Sequence, residues 1–285
     1  MFSIDGRSIA AGIRAQIKHD IARLGITPGL GVILAGADPA SHLYVGLKEK
    51  ACSEVGIKFE KALFFATEPE EKILEKIREF NGRPDIHGIL IQLPLPRGYD
   101  EDRVIAEMNP AKDADGFHPA NLELIKQKNP NVIPGVSLGI MRLIESTGTD
   151  LAGKKAALIV NSEIFALPLT YLLEKKGTMV ETFLAPRFPA DVRRGTLETD
   201  IVVVAVGRAG FIRADMVKDG AIIVDVGTNR VEGKLAGDAD FDSFRGRDIR
   251  ITPVPGGVGP MTVAMLLHNV LELAKRAEGE QSFVH

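Results

Sequence analysis

Five short runs in this chain are dominated by Val, Ile, Leu and Ala: LGVILA at 30–35, GILI at 88–91, LAGKKAALIV at 151–160, IVVVAV at 201–206 and AIIVDV at 221–226. A strand with one wet face alternates apolar and polar residues, whereas these runs do not, so they read as strands covered on both faces. All but the last are followed by a segment of helical period or by a short helical stretch. The first helix is read at 7–24, where Ile9, Ile13, Ile17, Ile21 and Leu24 recur every three or four residues. The alternation of buried strands and helices specifies an α/β protein with parallel sheets.

Taken in order, the N-terminal half gives a helix from Pro39 to Val55 stopped at Gly56, a strand at 57–64, and a charged amphipathic helix at 68–80. A strand at 86–92 then runs into LPLP, and a short helix is read at 101–108. NPNVIPGV at 129–136 breaks the periodicity with two prolines and a glycine. A helix at 137–147 leads into a second unit with strands near 151–160, 178–183, 201–206 and 221–226. Its helices are read at 164–176, 190–195 and 213–217, with Pro168 expected early in the first of them or at a kink. This order is Rossmann-like. After a short segment at 249–252, residues 261–277 form a strong helix with an apolar stripe through Val263, Leu266, Leu267, Val270, Leu271 and Ala274, and EGEQSFVH at 278–285 reads as a frayed tail. The domain division is expected at 1–133 plus 261–285 for the first unit and 134–260 for the second.

Composition narrows the partners. Thirty-five Lys plus Arg against 38 Asp plus Glu leave a formal charge of −3, so no bulk positive field recruits a nucleic acid. The single cysteine, Cys52, has no partner for an internal disulfide and reads as a core residue, and the six scattered histidines offer no metal-binding spacing. The opening stretch MFSIDGRSIAAGIRAQ lacks a continuous apolar segment, and the apolar runs are too short to span a bilayer. A cytoplasmic protein without membrane or nucleic-acid partners is the expectation.

Tyr44 and Lys48 lie four residues apart, hence on one face of the helix that follows the first apolar strand. Open α/β sheets bind ligands at the C-terminal ends of their strands, so an amine there gains a role beyond that of a solvated lysine. Partial desolvation would let Lys48 exchange a proton near neutrality, and Tyr44 could stack on a planar substrate. Gln92 ends the strand at 88–91 and can both donate and accept. Asp113 and Asp115 sit in KDADGFHPAN at 112–121, either as an Asx-turn before Gly116 or as carboxylates facing the paired N–H donors of a heterocycle.

Several long strings together resemble the methylenetetrahydrofolate dehydrogenase/methenyltetrahydrofolate cyclohydrolase family, of the bifunctional bacterial and archaeal type. They are YVGLKEKACSEVGI at 44–57, GILIQLPLP at 88–96, NPAKDADGFHPAN at 109–121, VGRAGFI at 206–212, IIVDVGTNR at 222–230 and TPVPGGVGPMT at 252–262. The resemblance implies a folate-binding N-terminal domain closed by the C-terminal helix, a Rossmann NADP domain, and a homodimer. By motif it makes Lys48 the residue the cyclohydrolase step cannot lose, with Tyr44 and Gln92 beside it and Asp115 on the pterin. Leu93, Pro94, Pro255, Gly256 and Gly257 fall to the substrate side. The implied chemistry is oxidation of 5,10-methylenetetrahydrofolate with NADP⁺, then hydrolysis of the methenyl cation to 10-formyltetrahydrofolate.

The nucleotide side departs from the family pattern. Where the family writes GRSxxVGxP, this chain has VNSEIFALP at 160–168: Val160 replaces glycine, Asn161 replaces arginine and Ala166 replaces glycine, while Ser162 and Pro168 remain. Val160 is expected to crowd the pyrophosphate and to resist positive φ, and Asn161 lacks the permanent charge suited to a 2′-phosphate. FLAPR at 183–187 stands in place of CHSxT, leaving Leu184 and Ala185 where a histidine and a serine belong, with Arg187 as a displaced cation. GVSLG at 135–139 replaces CTPxG, so Ser137 is expected to soften a hinge. Val206, Gly207 and Thr228 still fit a dinucleotide crevice. The cofactor expected is NADP, with NAD or weak nucleotide binding as the alternative. The competing readings are a bifunctional enzyme with an altered cofactor grip, a cyclohydrolase with a feeble dehydrogenase, and a non-catalytic folate-binding protein.

Overall fold

The computed structural model describes residues 1–282, and its backbone divides into two compact units. One comprises Ala11–Gly135 and the chain from Val263 onward, the other Met1–Ala10 and Val136–Thr262. The first ten residues therefore group with the second half of the chain, whereas the sequence reading keeps them with the first.

In order, the elements are β1 (Phe2–Ser3), α1 (Gly6–Leu24), β2 (Gly29–Ala35), α2 (Pro39–Val55), β3 (Lys58–Phe64), α3 (Glu70–Gly82), β4 (Gly88–Ile91), α4 (Glu101–Glu107), α5 (Pro119–Lys126) and α6 (Gly135–Glu145). They continue with β5 (Lys155–Val160), α7 (Glu163–Lys175), β6 (Met179–Leu184), α8 (Pro189–Thr196), β7 (Ile201–Ala205), β8 (Ile222–Asp225), β9 (Asn229–Val231), β10 (Lys234–Ala236), β11 (Arg250–Ile251) and α9 (Val258–Ser282). Residues 278–282 of the expected frayed tail belong to α9, and 283–285 lie outside the described residues. Helix α5 and the hairpin β9–β10 are absent from the sequence reading.

The first unit holds a parallel three-stranded sheet in the order β3-β2-β4. Alternate residues of β2 feed two cores. Leu30, Val32 and Leu34 pack with Ile17 and Ile21 of α1, Val45 and Cys52 of α2, and Leu266, Leu267, Val270 and Leu271 of α9. Ile33 and Ala35 face Ile73, Leu74, Ile77 and Phe80 of α3 and Val104 of α4. The C-terminal helix thus packs back onto the N-terminal sheet, and Gly88 lets it come close, because a Cβ there would stand 3.1 Å from Val270 Cγ2.

The second unit is a six-stranded parallel sheet in the order β1-β11-β8-β7-β5-β6. Chain order reverses direction between β5 and β7, which is the topological switch point of a doubly wound sheet. One face is filled by Ile159, Val202, Val204 and Ile223 against Val192 of α8, Met216 and Phe244. Strand β1 reaches this sheet by pairing Phe2 with Arg250 and Ser3 with Ile251, which carries the N-terminus into the second unit. Pro168 lies inside α7, where the missing N–H costs one i→i−4 bond, and the helix continues to Lys175.

Candidate active site

Helix α2 is fixed at both ends, so the residues along it have defined positions. The Asp38 carboxylate accepts from Ser41 N–H at 2.8 Å, a cap worth about 1 kcal/mol, and Pro39 opens the first turn. At the other end Gly56, at φ 90°, donates to Cys52 O at 3.0 Å. Between these caps Tyr44, 48% exposed, stands one turn before half-buried Lys48.

Gln92 follows directly on β4, its N–H held by Ile33 O at 2.9 Å. Its side-chain amide donates to Leu93 O at 2.8 Å, which leaves Oε1 turned toward Lys48, and Lys48 Nζ donates to that oxygen at 2.8 Å. Amine and amide therefore come together across 44 residues of sequence. Burial holds the Lys48 ammonium below its ordinary pKa, while the Asp115 charge pulls it back up.

The loop at 112–118 resolves the two aspartates into different roles. Asp113 is buried and its carboxylate accepts from Gly116 N–H at 2.8 Å, His118 N–H at 2.8 Å and Asn121 Nδ2 at 3.0 Å, so it folds the loop. Asp115 is exposed as a residue, while its carboxyl group is desolvated by the surrounding protein. That desolvation pushes it up to about 6, with Lys48 lowering it and Asp113 raising it. Gly116 turns at φ 87° and lies so close to Pro134 that a Cβ would stand 2.6 Å from its nitrogen. The backbone before Asp115 is also clamped from α9 together with a distant segment: buried Asn269 donates to Ala114 O at 3.1 Å and to Ile133 O at 3.0 Å. Asn269 is absent from the sequence reading, although an amide inside an apolar helical stripe is the kind of signal that could have found it.

Tyr44, Lys48, Gln92, Leu93, Pro94 and Asp115 thus all belong to the first unit, and Pro255, Gly256 and Gly257 to the second. There Gly257 N–H donates to Pro253 O at 2.8 Å, tightening the loop before α9.

On the nucleotide side, Val160 is the last residue of β5 and fully buried, and it is not among the residues with positive φ. The expectation that its side chain crowds a phosphate is therefore corrected: the branched carbons point into the core. Asn161 uses its side chain to donate to Val206 O at 2.9 Å, tying the exit of β5 to that of β7 at the switch point. Ser162 caps α7 without a side-chain hydrogen bond, which leaves first-turn N–H groups free to meet an anion. Pro168 and Ala166 are buried within α7. Ser137, expected at a softened hinge, is buried in the first turn of α6, its hydroxyl without a partner among the described residues. Beyond β7, Asp238 accepts from the N–H groups of Val206, Gly207 and Arg208 at 2.6, 2.9 and 2.7 Å. Gly207, at φ 67°, and Thr228 are exposed.

The end of β6 is apolar and open. Leu184 is 46% exposed and Ala185 takes a left-handed φ of 46°. Arg187 is exposed, while Arg208 stacks 4.4 Å from the Phe211 ring centre and donates to the carbonyls of Pro186 and Arg187. The residues at the end of β5 and the start of α7 fit a dinucleotide pyrophosphate. Leu184 and Ala185 offer nothing to a 2′-phosphate.

Residues 4–115 match the tetrahydrofolate dehydrogenase/cyclohydrolase catalytic domain, and residues 134–278 match the NAD(P)-binding domain of the same enzymes. The chain belongs to this family. It is 46% identical over 277 residues to the bifunctional protein FolD of Geobacillus thermodenitrificans, covering 96% of this chain and 97% of that one. The crystal structure of the bifunctional FolD enzyme of Campylobacter jejuni superposes with a TM-score of 0.91 at 39% identity, covering 97% of this chain and 99% of that one. The Trypanosoma brucei FolD, solved with NADP cofactor and an inhibitor, gives a TM-score of 0.91 at 33% identity, covering 98% of each chain. Among the described residues, no helix is long and apolar enough to cross a membrane.

Proposed function

We propose that the chain is a bifunctional 5,10-methylenetetrahydrofolate dehydrogenase and 5,10-methenyltetrahydrofolate cyclohydrolase that yields 10-formyltetrahydrofolate and acts as a homodimer. The observation that carries the reading is the 2.8 Å bond from Lys48 Nζ to Gln92 Oε1 beside Asp115. In the hydrolytic step the bridging methenyl carbon is already electron-poor, so the protein's task is to place water and move a proton. Gln92 holds the amine in one orientation. As water adds to the carbon, Lys48 takes one of its protons and returns it to N5 as the carbon–N5 bond breaks. The second proton of the water leaves to solvent, and the formyl group stays on N10. The lowered pKa of Lys48 suits it to this exchange. Asp115 accepts the paired N–H donors of the pterin through charge-assisted bonds, and Tyr44 stacks beside it. Leu93 and Pro94, with Pro255, Gly256 and Gly257, complete the folate contacts.

For the oxidative step, NADP⁺ when bound supplies the acceptor for the hydride. The free first-turn N–H groups of α7, with Ser162 and Asn161, would hold its pyrophosphate, and Gly207 and Thr228 would flank the nicotinamide side. Asn161 carries no charge for a 2′-phosphate, so Arg187 is left as the cation at that end, and discrimination between NADP and NAD is weaker than with an arginine at 161. A second reading, a cyclohydrolase with a feeble dehydrogenase, draws on the apolar replacements Leu184 and Ala185. Titration with NADP and NAD, followed by methylenetetrahydrofolate oxidation with each, separates the two. Oxidation with either nucleotide supports the bifunctional enzyme, and methenyl hydrolysis without oxidation supports the second reading. A chain that binds folate and turns over neither substrate would overturn both.

A further inference from the structure

Two carboxylates of the second unit are buried and have no part in the chemistry described above. Asp225 ends β8 and is 3% exposed, and Asp238, just after β10, is fully buried. Each is wrapped by neutral donors. Asp238 accepts the N–H groups of Val206, Gly207 and Arg208 and, at 2.9 Å, Asn229 Nδ2. Asp225 accepts the N–H groups of Gly227, Asp238 and Ala239 at 2.9, 2.9 and 2.8 Å, so the backbone that carries the second carboxylate hangs on the first.

The turns held in this way are the exits of neighbouring strands. Val204 of β7 pairs with Asp225 of β8, and beyond them the chain leaves through Gly207 and Thr228. Glycine makes room for both carboxylates: a Cβ at Gly227 would overlap Asp238, and one at Gly237 would overlap Asp225. The cation nearest in sequence, Arg208, turns its guanidinium to the carbonyls of Pro186 and Arg187 and to the Phe211 ring. Neutral N–H dipoles satisfy a carboxylate without cancelling its net charge, and burying such a charge is costly. Burial, with the Asp238 charge adding to it, pushes Asp225 up to about 6 against the lowering effect of its backbone donors. Neutral side chains could brace a turn at less cost, so the charge itself calls for a use.

We propose that Asp225 and Asp238 are positioning residues for the cofactor: they fix the two turns that flank the nicotinamide, and their charge favours the oxidised ring, a cation, over the neutral reduced ring. This rests on the reading that puts Gly207 and Thr228 beside the nicotinamide. At the effective permittivity near protein groups, a unit charge even about 12 Å from a cationic ring shifts its binding by about tenfold. A site of this kind takes up the oxidant and lets the reduced nucleotide go.

The test is nucleotide binding by the full chain at pH 8, where Asp225 is ionised. The chain has no tryptophan, so NADPH and NADH are titrated by their own fluorescence, and NADP⁺ and NAD⁺ by displacing them. Within each oxidised and reduced pair the adenosine end is the same and drops out of the comparison. Asp238→Asn and Asp225→Asn are each expected to lower the ratio of reduced to oxidised Kd by about tenfold relative to wild type. Asp238→Glu keeps the charge but shifts it, and is expected to weaken both members by about fivefold while their ratio stays within about threefold of wild type. A cooperative melting transition shows that a variant is folded, and if one Asn variant lacks it the other decides. Equal weakening of both members in the Asn variants makes the pair a scaffold alone and overturns the proposal, as does a tenfold fall of the ratio in Asp238→Glu. A wild type that binds none of the four nucleotides overturns the cofactor reading itself, and the proposal with it.

Discussion

The two units treat their polar residues differently. In the N-terminal unit the proposed catalytic residues have held neighbours: Lys48 rests on Gln92, Gln92 on Leu93 O, and the backbone of the Asp115 loop on Asp113 and Asn269, with Tyr44 left exposed on α2. At the nucleotide end of the second unit, Val160, Leu184 and Ala185 are apolar, Asn161 is neutral, and Arg208 braces the backbone at Pro186 and Arg187. A preorganised site loses much when one member is removed. A strand end lined by neutral side chains has less to lose and more to gain. The contrast predicts large losses from single changes in the first unit, and modest changes, some of them gains, in the second.

The strongest way to break this contrast is Lys48→Met. Removing a positioned general base typically costs 10²–10⁴ in rate, so methenyl hydrolysis, followed by the fall in its absorbance, is expected to drop by about 10³-fold with the far-ultraviolet dichroism unchanged. A loss below about tenfold removes Lys48 from the chemistry. Next, Asp115→Asn replaces charge-assisted bonds with neutral ones, and the folate KM is expected to rise by about 30-fold. An unchanged KM would take Asp115 off the pterin.

In the second unit, Asn161→Arg restores a permanent charge and is expected to raise the NADP over NAD binding ratio by about tenfold, read by fluorescence titration. The converse change, Arg187→Leu, is expected to lower that ratio by about fivefold. If neither moves the ratio, the 2′-phosphate is not read from this end of the sheet.

A pH dependence follows from the Asp115 carboxylate. Asp115 is pushed up to about 6 by desolvation, so its carboxylate is half protonated near that pH and folate affinity is expected to fall about tenfold per unit below it. Linkage gives the opposite sign for stability. Between its ordinary value of 3.8 and about 6 the folded state binds more protons than the unfolded one, so this group's contribution worsens as pH rises through that window. Asp115→Asn is therefore expected to raise Tm relative to wild type more at pH 7.5 than at pH 4. A difference of the reverse sign would show that the carboxyl is not destabilised by its surroundings.

Much of this contrast is legible in the residues. The apolar runs that became β2, β4, β5, β7 and β8 are unambiguous, because strands covered on both faces leave no alternation to mistake. Helix α2, with Pro39 at its start and Gly56 at its end, follows from local capping chemistry, and that chemistry puts Tyr44 and Lys48 on one face. Short elements are less legible. Strand β1 has two residues and exists because β11 offers it a ladder, and α5 begins at a proline within a loop whose fold depends on the buried Asp113 carboxylate.

Local periodicity and composition alone determine an α/β chain of two sheets, with an amine and a phenol one helical turn apart. Contacts between residues far apart in sequence decide the rest. The bond from Lys48 to Gln92, the split of Asp113 and Asp115 into a hydrogen-bonded structural carboxylate and a desolvated one, the clamp from Asn269 and the burial of Val160 each depend on which side chain arrives from a distant segment. Spacing along the chain fixes which face a side chain occupies, whereas desolvation and hydrogen-bond partners are properties of the packed neighbourhood, and those set the charge and orientation on which the chemistry rests.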